Sequence, residues 1–456
     1  MSGRAATDRV LRGRFGISVN DPGHPTPPGW VRTPLTDIAD LGTGHTPSRN
    51  HPEYWDGDVP WIGIRDAGAH HGGIINTTAQ TITPLGLENS SARLLPKETV
   101  CLSRTASVGY VVKMGRDMAT SQDFVTWSCS QALDPDFLMS ALLAEGDDIR
   151  KFGEGSTHTT IYFPAVKAFH LDLPPITEQR RIVAKLDALT ARIARARAEL
   201  DRVPRLAEHL RIKAIRREFA LHDECEISAL ESLCRIGTGS TPKRGDVRYY
   251  EGGSIPWITS GAVNDRSITQ PSELITNAAI TETNCKVFPA GSLVVALYGE
   301  GKTRGKVAEM QIAAATNQAL AVLHSFDRSR IEPDWIRIFL EARYEETRLE
   351  AAGGVQPNLN LGIIKAILIP VPTLSAQRAG IERVTELRAR ADRLEAEAAR
   401  ARKLLDRLES AILAKAFRGE LVPQDPRDEP AEKLLERIRA ERDAAPKPKR
   451  GRRAAS

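Results

Sequence analysis

The sequence predicts an α+β fold: two tandem mixed, mostly β domains separated by two long helices that form a coiled coil. Three observations carry that expectation. The chain repeats itself, each repeat is rich in short β-branched runs between turn residues, and each ends in a long seam of apolar residues spaced alternately by three and four.

The repeat is the firmest of the three. LGTGHTPSRNHPEYWDGDVPWI (41–62) returns as IGTGSTPKRGDVRYYEGGSIPWI (236–258), with Gly237 at 42 + 195 and Trp257 at 61 + 196. One inserted residue accounts for the change of offset. MATSQDF (118–124) returns as AATNQAL (314–320), and Gln179-Arg180 returns as Gln377-Arg378 at an offset of 198.

The elements follow in order. Residues 1–29 form an N-terminal segment, and residues 30–175 the first domain, where VPWIGI, TVCLS and GYVVKM read as strands. Residues 176–222 form a central helix after the Pro174-Pro175 stop. Thr177 is placed to cap it, and Ile182, Leu186, Leu189, Ile193, Ala196, Leu200 and Val203 recur at 4, 3, 4, 3, 4, 3. Residues 223–373 form the second domain and 374–421 the second helix, whose seam is Val384, Leu387, Ala391, Leu394, Ala398, Ala401, Leu405, Leu408 and Ile412. A C-terminal segment, 422–456, ends in a basic tail, Lys447 to Arg453. Such a/d spacing with charges between is a coiled-coil seam, so the helices are expected to pack on each other as a spacer of ~60 Å at about 1.5 Å per residue. Pro204 is expected to kink or interrupt the first helix.

Composition narrows the chemistry. Of 456 residues, 41% are hydrophobic, enough for real cores, and Lys and Arg exceed Asp and Glu by 63 − 58 = 5, a mildly basic balance compatible with nucleic acid. No apolar run reaches the ~18 residues of a membrane span and the start carries no secretory apolar stretch, so no membrane contact and a cytoplasmic location are expected. The five cysteines are odd in number and contain no C-x-x-C, which indicates neither a zinc site nor a disulfide framework. No metal site is expected.

One stretch offers an alternative. ALYGEGKT (296–303) matches a loose phosphate loop, which would make the chain a stand-alone ATPase or nuclease. That loop needs a helix after it to present backbone N–H groups to phosphate. Here RGKVAEMQI reads as a strand, and LSRTASVGYV, in the equivalent slot of the first half, has no Gly-Lys-Thr. A coiled-coil adaptor without DNA specificity is the other alternative.

Two similar but non-identical polar-looped domains on a spacer suit a polymer read at two places, and DNA rewards a set spacing. The ordered set of GTGxTP and PWI, twice over, resembles the specificity (S) subunit of type I restriction-modification systems. LPPITEQRRIVAKLDAL and IPVPTLSAQRAGIERV, which open the long helices, and the C-terminal AILAKAFRGELVPQDPRDEPAEKLLERIRAER extend the resemblance over nearly the whole chain. The first helix departs from it, ending in REFALHD rather than AFRGELV. The resemblance implies two target-recognition domains separated by the two long helices as an antiparallel coiled coil, each domain reading one half of a split, asymmetric site in double-stranded DNA. It implies no catalytic residues and no bound cofactor on this chain. Methyltransferase (modification) subunits would bring S-adenosylmethionine, and restriction motor-nuclease subunits would bring ATP and magnesium.

Base edges and phosphates are met by Arg, Lys, Asn, Gln, Ser and Thr. In the first domain the candidate contacts are Thr46, Ser48 and Arg49 after GTG, Arg65 after PWIGI, Arg104 and Ser107 in the variable loop, and Ser121 and Gln122. The repeat adds Thr241, Lys243, Arg244, Thr259, Ser260, Tyr298, Lys302, Arg304, Asn317 and Gln318 in the second. Trp61 and Trp257 read as core anchors.

Overall fold

The computed structural model describes residues 10–21, 23, 25–154, 159–220, 222, 225–298, 303–344 and 359–444. The chain divides into unit 1, residues 1–198 with 402–456, and unit 2, residues 199–401.

Unit 1 is organised around a five-stranded sheet in the order Ala39–Thr43, Phe124–Cys129, Val100–Ser103, Val111–Met114, Ile74–Ile75. Its pairs are antiparallel except the last, which is parallel. Val100–Ser103 and Val111–Met114 are buried along their whole length, so TVCLS and GYVVKM hold continuously buried strands rather than alternating ones, with Lys113 paired to Asp136. A three-stranded sheet sets Trp55–Ile62 between Ala119–Thr120 and Gln80–Ile82. Unit 2 repeats the plan. Its five strands run Arg235–Thr238, Leu320–His324, Ser292–Ala296, Val307–Met310, Ser267–Ile268, and Ile255–Ile258 lies between Glu273–Ile275 and Ala314–Thr316.

The phosphate-loop alternative loses its footing here. Residues 299–302 lie outside the described residues, but the element after Thr303 is the strand Val307–Met310, antiparallel to Ser292–Ala296. The stretch joins two strands instead of opening a helix.

The third sheet differs between the units. In unit 2 it is one antiparallel pair, Glu226–Ala229 with Leu368–Val371. In unit 1 the matching pair, Val31–Pro34 with Phe169–Leu173, is extended by Ile17–Val19 and Leu11–Arg12. The turn between those two added strands is held by the buried carboxylate of Glu145, which accepts from the backbone N–H groups of Arg14, Phe15 (3.2 Å), Gly16 (3.0 Å) and Ile17 (3.1 Å). A helix, Ala431–Ala444, buries Ala431, Leu435 and Ile438 in the same core. The described parts of both terminal segments are therefore built into unit 1.

The long helices span Ile176–Ala220 and Leu374–Ala416. Each is tied in at its start by a fully buried glutamine. Gln179 accepts from Asp134 N (2.8 Å) and donates to the carbonyls of Ala132 (2.8 Å) and Pro174 (2.9 Å). Gln377 accepts from Glu332 N (2.9 Å) and donates to those of Arg330 and Pro372, both at 2.8 Å. Thr177, expected as a cap, lies within the helix and donates to Asp428 (2.6 Å). The helix ends are also equivalent: Phe417 packs on Phe137 in unit 1 at 5.6 Å between ring centres, and Phe219 on Trp335 in unit 2 at 4.6 Å. REFALHD thus performs the packing of AFRGELV despite its different letters. The AFRGELV copy adds Gly419 at φ 72°, a left-handed residue just past the helix end.

Helix pairing is antiparallel. In unit 2, Arg211 meets Asp392 and Glu395 (2.6 Å each) while Glu218, further along, meets Arg383 (2.6 Å). In unit 1, Arg197 meets Asp406 (2.6 Å) and Glu409 (2.7 Å). Of the expected seam, Ile182, Leu186, Ile193 and Val384 are buried, and Leu189, Leu200, Val203, Leu387, Leu405 and Ile412 half-buried. Leu394 and Leu408 correct the expectation, being 43% and 49% exposed. Glu395 and Glu409 are turned further inward, where Arg211 and Arg197 reach them. Val384, Ala391 and Ala398, spaced by seven, stay buried, so the inward face keeps that row and takes Glu395 and Glu409 on its other flank in place of Leu394 and Leu408. Pro204 does not interrupt the helix, which runs through it with Pro204 on the exposed face.

Candidate nucleic-acid interface

The GTGxTP motif is first a device of backbone packing. A Cβ on Gly44 would lie 2.0 Å from the carbonyl oxygen of Thr120, and one on Gly239 1.8 Å from that of Thr316. Only glycine permits this approach, across which His45 and Ser240 donate their backbone N–H to the same two carbonyls (2.9 Å each). The chain then turns at a buried proline, Pro47 or Pro242, and brings the motif's threonine to the loop opposite. Thr46 donates to Gln122 Oε1 at 2.6 Å, and Thr241 to Gln318 Oε1 at 2.5 Å. The indole N–H of Trp61 donates to the His45 carbonyl (3.0 Å) and that of Trp257 to Ser240 (3.2 Å).

On this scaffold each unit displays an exposed arginine over the ring of its PWI tryptophan and a second aromatic ring. The Arg49 guanidinium sits 3.6 Å from the ring centre of Trp55 and 5.7 Å from that of Trp61. Arg244 sits 5.1 Å from Tyr250 and 5.0 Å from Trp257. Trp61 and Trp257 are core anchors, as expected, and also the floor under these cations. Each arginine is held from the side by the residue paired across the sheet with that tryptophan. Arg49 donates to Gln80 (2.9 Å), and Arg244 to the Glu273 carboxylate (2.5 Å). The Glu273 hydrogen bond raises the Arg244 guanidinium above its ordinary range. Stacking leaves the remaining donors of a planar, rigid cation facing water, an arrangement suited to phosphate or guanine.

The other candidates divide by burial. Gln122, Gln318, Ser48, Lys243, Arg65 and Tyr298 are exposed. Arg65 lies at the start of the short helix Ile64–Ala69. Arg104 is half-buried over Phe163 (5.3 Å) and donates to the Gln122 carbonyl (3.1 Å). Burial pulls its guanidinium below the ordinary range. Ser121 is buried and donates to Asp123 (3.0 Å), which also accepts from Thr105 (2.6 Å), so the structure gives it to the loop's own bracing. Ser107 is half-buried, and its carbonyl accepts from Ser103 (2.5 Å). Thr259 pairs with Ser272 (3.2 Å), Asn317 accepts from Ala319 N (3.2 Å), and Ser260 and Arg304 are half-buried. Lys302 and the basic tail lie outside the described residues. Sequence reasoning missed Trp55, Tyr250, Gln80 and Glu273. Their signal is modest: an aromatic residue in the EYW and RYY stretches, and a polar residue ahead of an isoleucine two places on.

Among the described residues no cluster of His, Cys, Asp and Glu is placed to hold a metal ion, and no helix is long and apolar enough to cross a membrane.

Known proteins resemble the whole arrangement. The type I restriction enzyme EcoKI specificity subunit of Escherichia coli strain K12 is 22% identical over 457 residues, covering 92% of this chain and 97% of its own. The MjaIX specificity subunit of Methanocaldococcus jannaschii is 22% identical over 365 residues, covering 75% and 84%. The crystal structure of the HsdS subunit from Thermoanaerobacter tengcongensis shares the fold, with a TM-score of 0.63 at 21% identity over 87% of this chain and 99% of that one. The type I restriction modification DNA specificity domain matches twice, over residues 27–205 and 222–400, and the chain belongs to that family.

Proposed function

We propose that this chain is the DNA-reading subunit of a type I restriction-modification complex, with each unit reading one half of a bipartite, asymmetric site. The observation that carries the reading is the duplicated display of an exposed arginine over the PWI tryptophan, on two matching backbone scaffolds with different surrounding loops. Matching scaffolds with different edges suit two half-sites of different sequence. In this reading the chain performs no catalysis. Methyltransferase subunits supply S-adenosylmethionine chemistry, motor-nuclease subunits supply ATP and magnesium chemistry, and the complex works on chromosomal DNA in the cytoplasm.

The test is domain exchange. Replacing residues 30–175 with the matching domain of another family member, then mapping methylated adenines by single-molecule sequencing, should change one half of the methylated motif and keep the other. If both halves change together, two independent readers are excluded. If no motif appears with the methyltransferase partner present, the adaptor reading gains.

A further inference from the structure

The two stacked arginines differ in one respect that neither scaffold nor stacking explains. Arg49 is steadied by a neutral amide, whereas Arg244 is steadied by a carboxylate that cancels much of its charge. Gln80 and Glu273 occupy the same place: each pairs across the sheet with the PWI tryptophan, and each side chain reaches the arginine lying over that tryptophan. Both residues are exposed, so the carboxylate is not needed to satisfy a buried group.

We propose that position 80 in unit 1 and position 273 in unit 2 set how strongly each unit holds DNA, acting through the stacked arginine. The inference rests on the DNA-reading function proposed above. Gln80 orients Arg49 and leaves its full charge for phosphate. Glu273 orients Arg244 and competes with phosphate for it, so unit 2 gives up an ion pair before it gains one. Unit 1 is then the stronger electrostatic anchor of the pair. Gln80 and Glu273 are positioning residues, and the contacting group is the arginine.

The experiment uses the full chain assembled with its methyltransferase partner, on a duplex carrying the motif found by methylation mapping, with affinity measured across a salt series. Glu273→Gln keeps the size and the hydrogen-bond acceptor and removes the competing charge. It should tighten binding roughly 3–10-fold and steepen the dependence of log K on log salt by up to about 0.9, the share of one added phosphate contact. Gln80→Glu should weaken binding by a similar factor and flatten the slope. Glu251→Gln, at an exposed acid of unit 2, controls for overall charge and should move affinity less than about twofold. In an Arg244→Ala background, Glu273→Gln should have no further effect. The proposal is overturned if Glu251→Gln tightens binding as much as Glu273→Gln, or if the Glu273→Gln gain survives loss of Arg244. Failure of the wild-type complex to prefer any sequence would instead remove the underlying DNA-reading function, a separate result read in the first titration.

Discussion

Unit 1 and unit 2 repeat the same scaffold, and their differences separate what the fold requires from what it is free to vary. Required are the glycine under the crossing carbonyl, the buried glutamine at each long helix start, the indole N–H bond and the aromatic pair that receives a helix end. Each recurs in both units although the surrounding letters have diverged. Variable are the loops at the candidate interface and the third sheet, which in unit 1 gains two strands and a helix from the ends of the chain. Divergence is tolerated where water or a ligand is the neighbour, and resisted where backbone meets backbone.

The largest test of this comparison is to remove what only unit 1 has. Deleting residues 431–456 uncovers the core beneath Ala431, Leu435 and Ile438 and should cost unit 1 about 3–6 kcal/mol, at ~1.5–3 kcal/mol for each of the two large buried side chains. Limited proteolysis read by mass spectrometry should show new cleavage in unit 1 and unchanged protection in unit 2. Equal loss in both would mean that the helix supports the whole chain.

A second test probes what both share. Gln179→Leu and Gln377→Leu each leave one buried N–H and two carbonyls without their partner, costing about 2–4 kcal/mol. Denaturant unfolding should give the two variants the same loss within about 1 kcal/mol. A large inequality would show that the sites are alike in geometry and unlike in importance.

The smallest test is electrostatic. Asp428 accepts from Arg181 (2.5 Å) and Thr177, and the Arg181 bond above all holds its carboxyl below the ordinary range. Unit 2 has Ala379 where Arg181 stands, at 181 + 198, so it lacks this pair. A carboxyl lowered by folding contributes stability that is complete above its unfolded value, near pH 4, and is lost as pH falls through the lowered folded value. Asp428→Asn should therefore cost less than about 1 kcal/mol at pH 7 and nothing at strongly acid pH, as read by denaturant midpoints at the two pH values. A deficit independent of pH would assign the loss to packing.

The repeat, both long helices and the strand after Gly-Lys-Thr were legible because periodicity and self-similarity are properties of the letters alone. The same holds for the glycines of GTG, whose spacing advertises a tight crossing. Other features depend on register or on distant neighbours. Leu394 and Leu408 fit the seam by spacing, but which of two adjacent residues faces inward depends on the facing helix, here on an arginine about 180 to 210 residues away. Gln80 and Glu273 acquire their meaning only once strand pairing puts them beside tryptophan. Ser121 looks like a surface serine until Asp123 is seen to hold it.

The division of the chain also has a consequence in time. Unit 2 is continuous in sequence, whereas unit 1 waits for residues 402–456 after its own first 198 have been made, a gap of 401 − 198 = 203 residues. At about 5–20 residues per second of synthesis, the nascent first part of unit 1 spends roughly 10–40 s without the segment that brings Ala416, Phe417, Leu435 and Ile438 to its core. The half of the protein begun first at the ribosome is thus the half completed last, and its unfinished apolar face is the surface that a chaperone would meet.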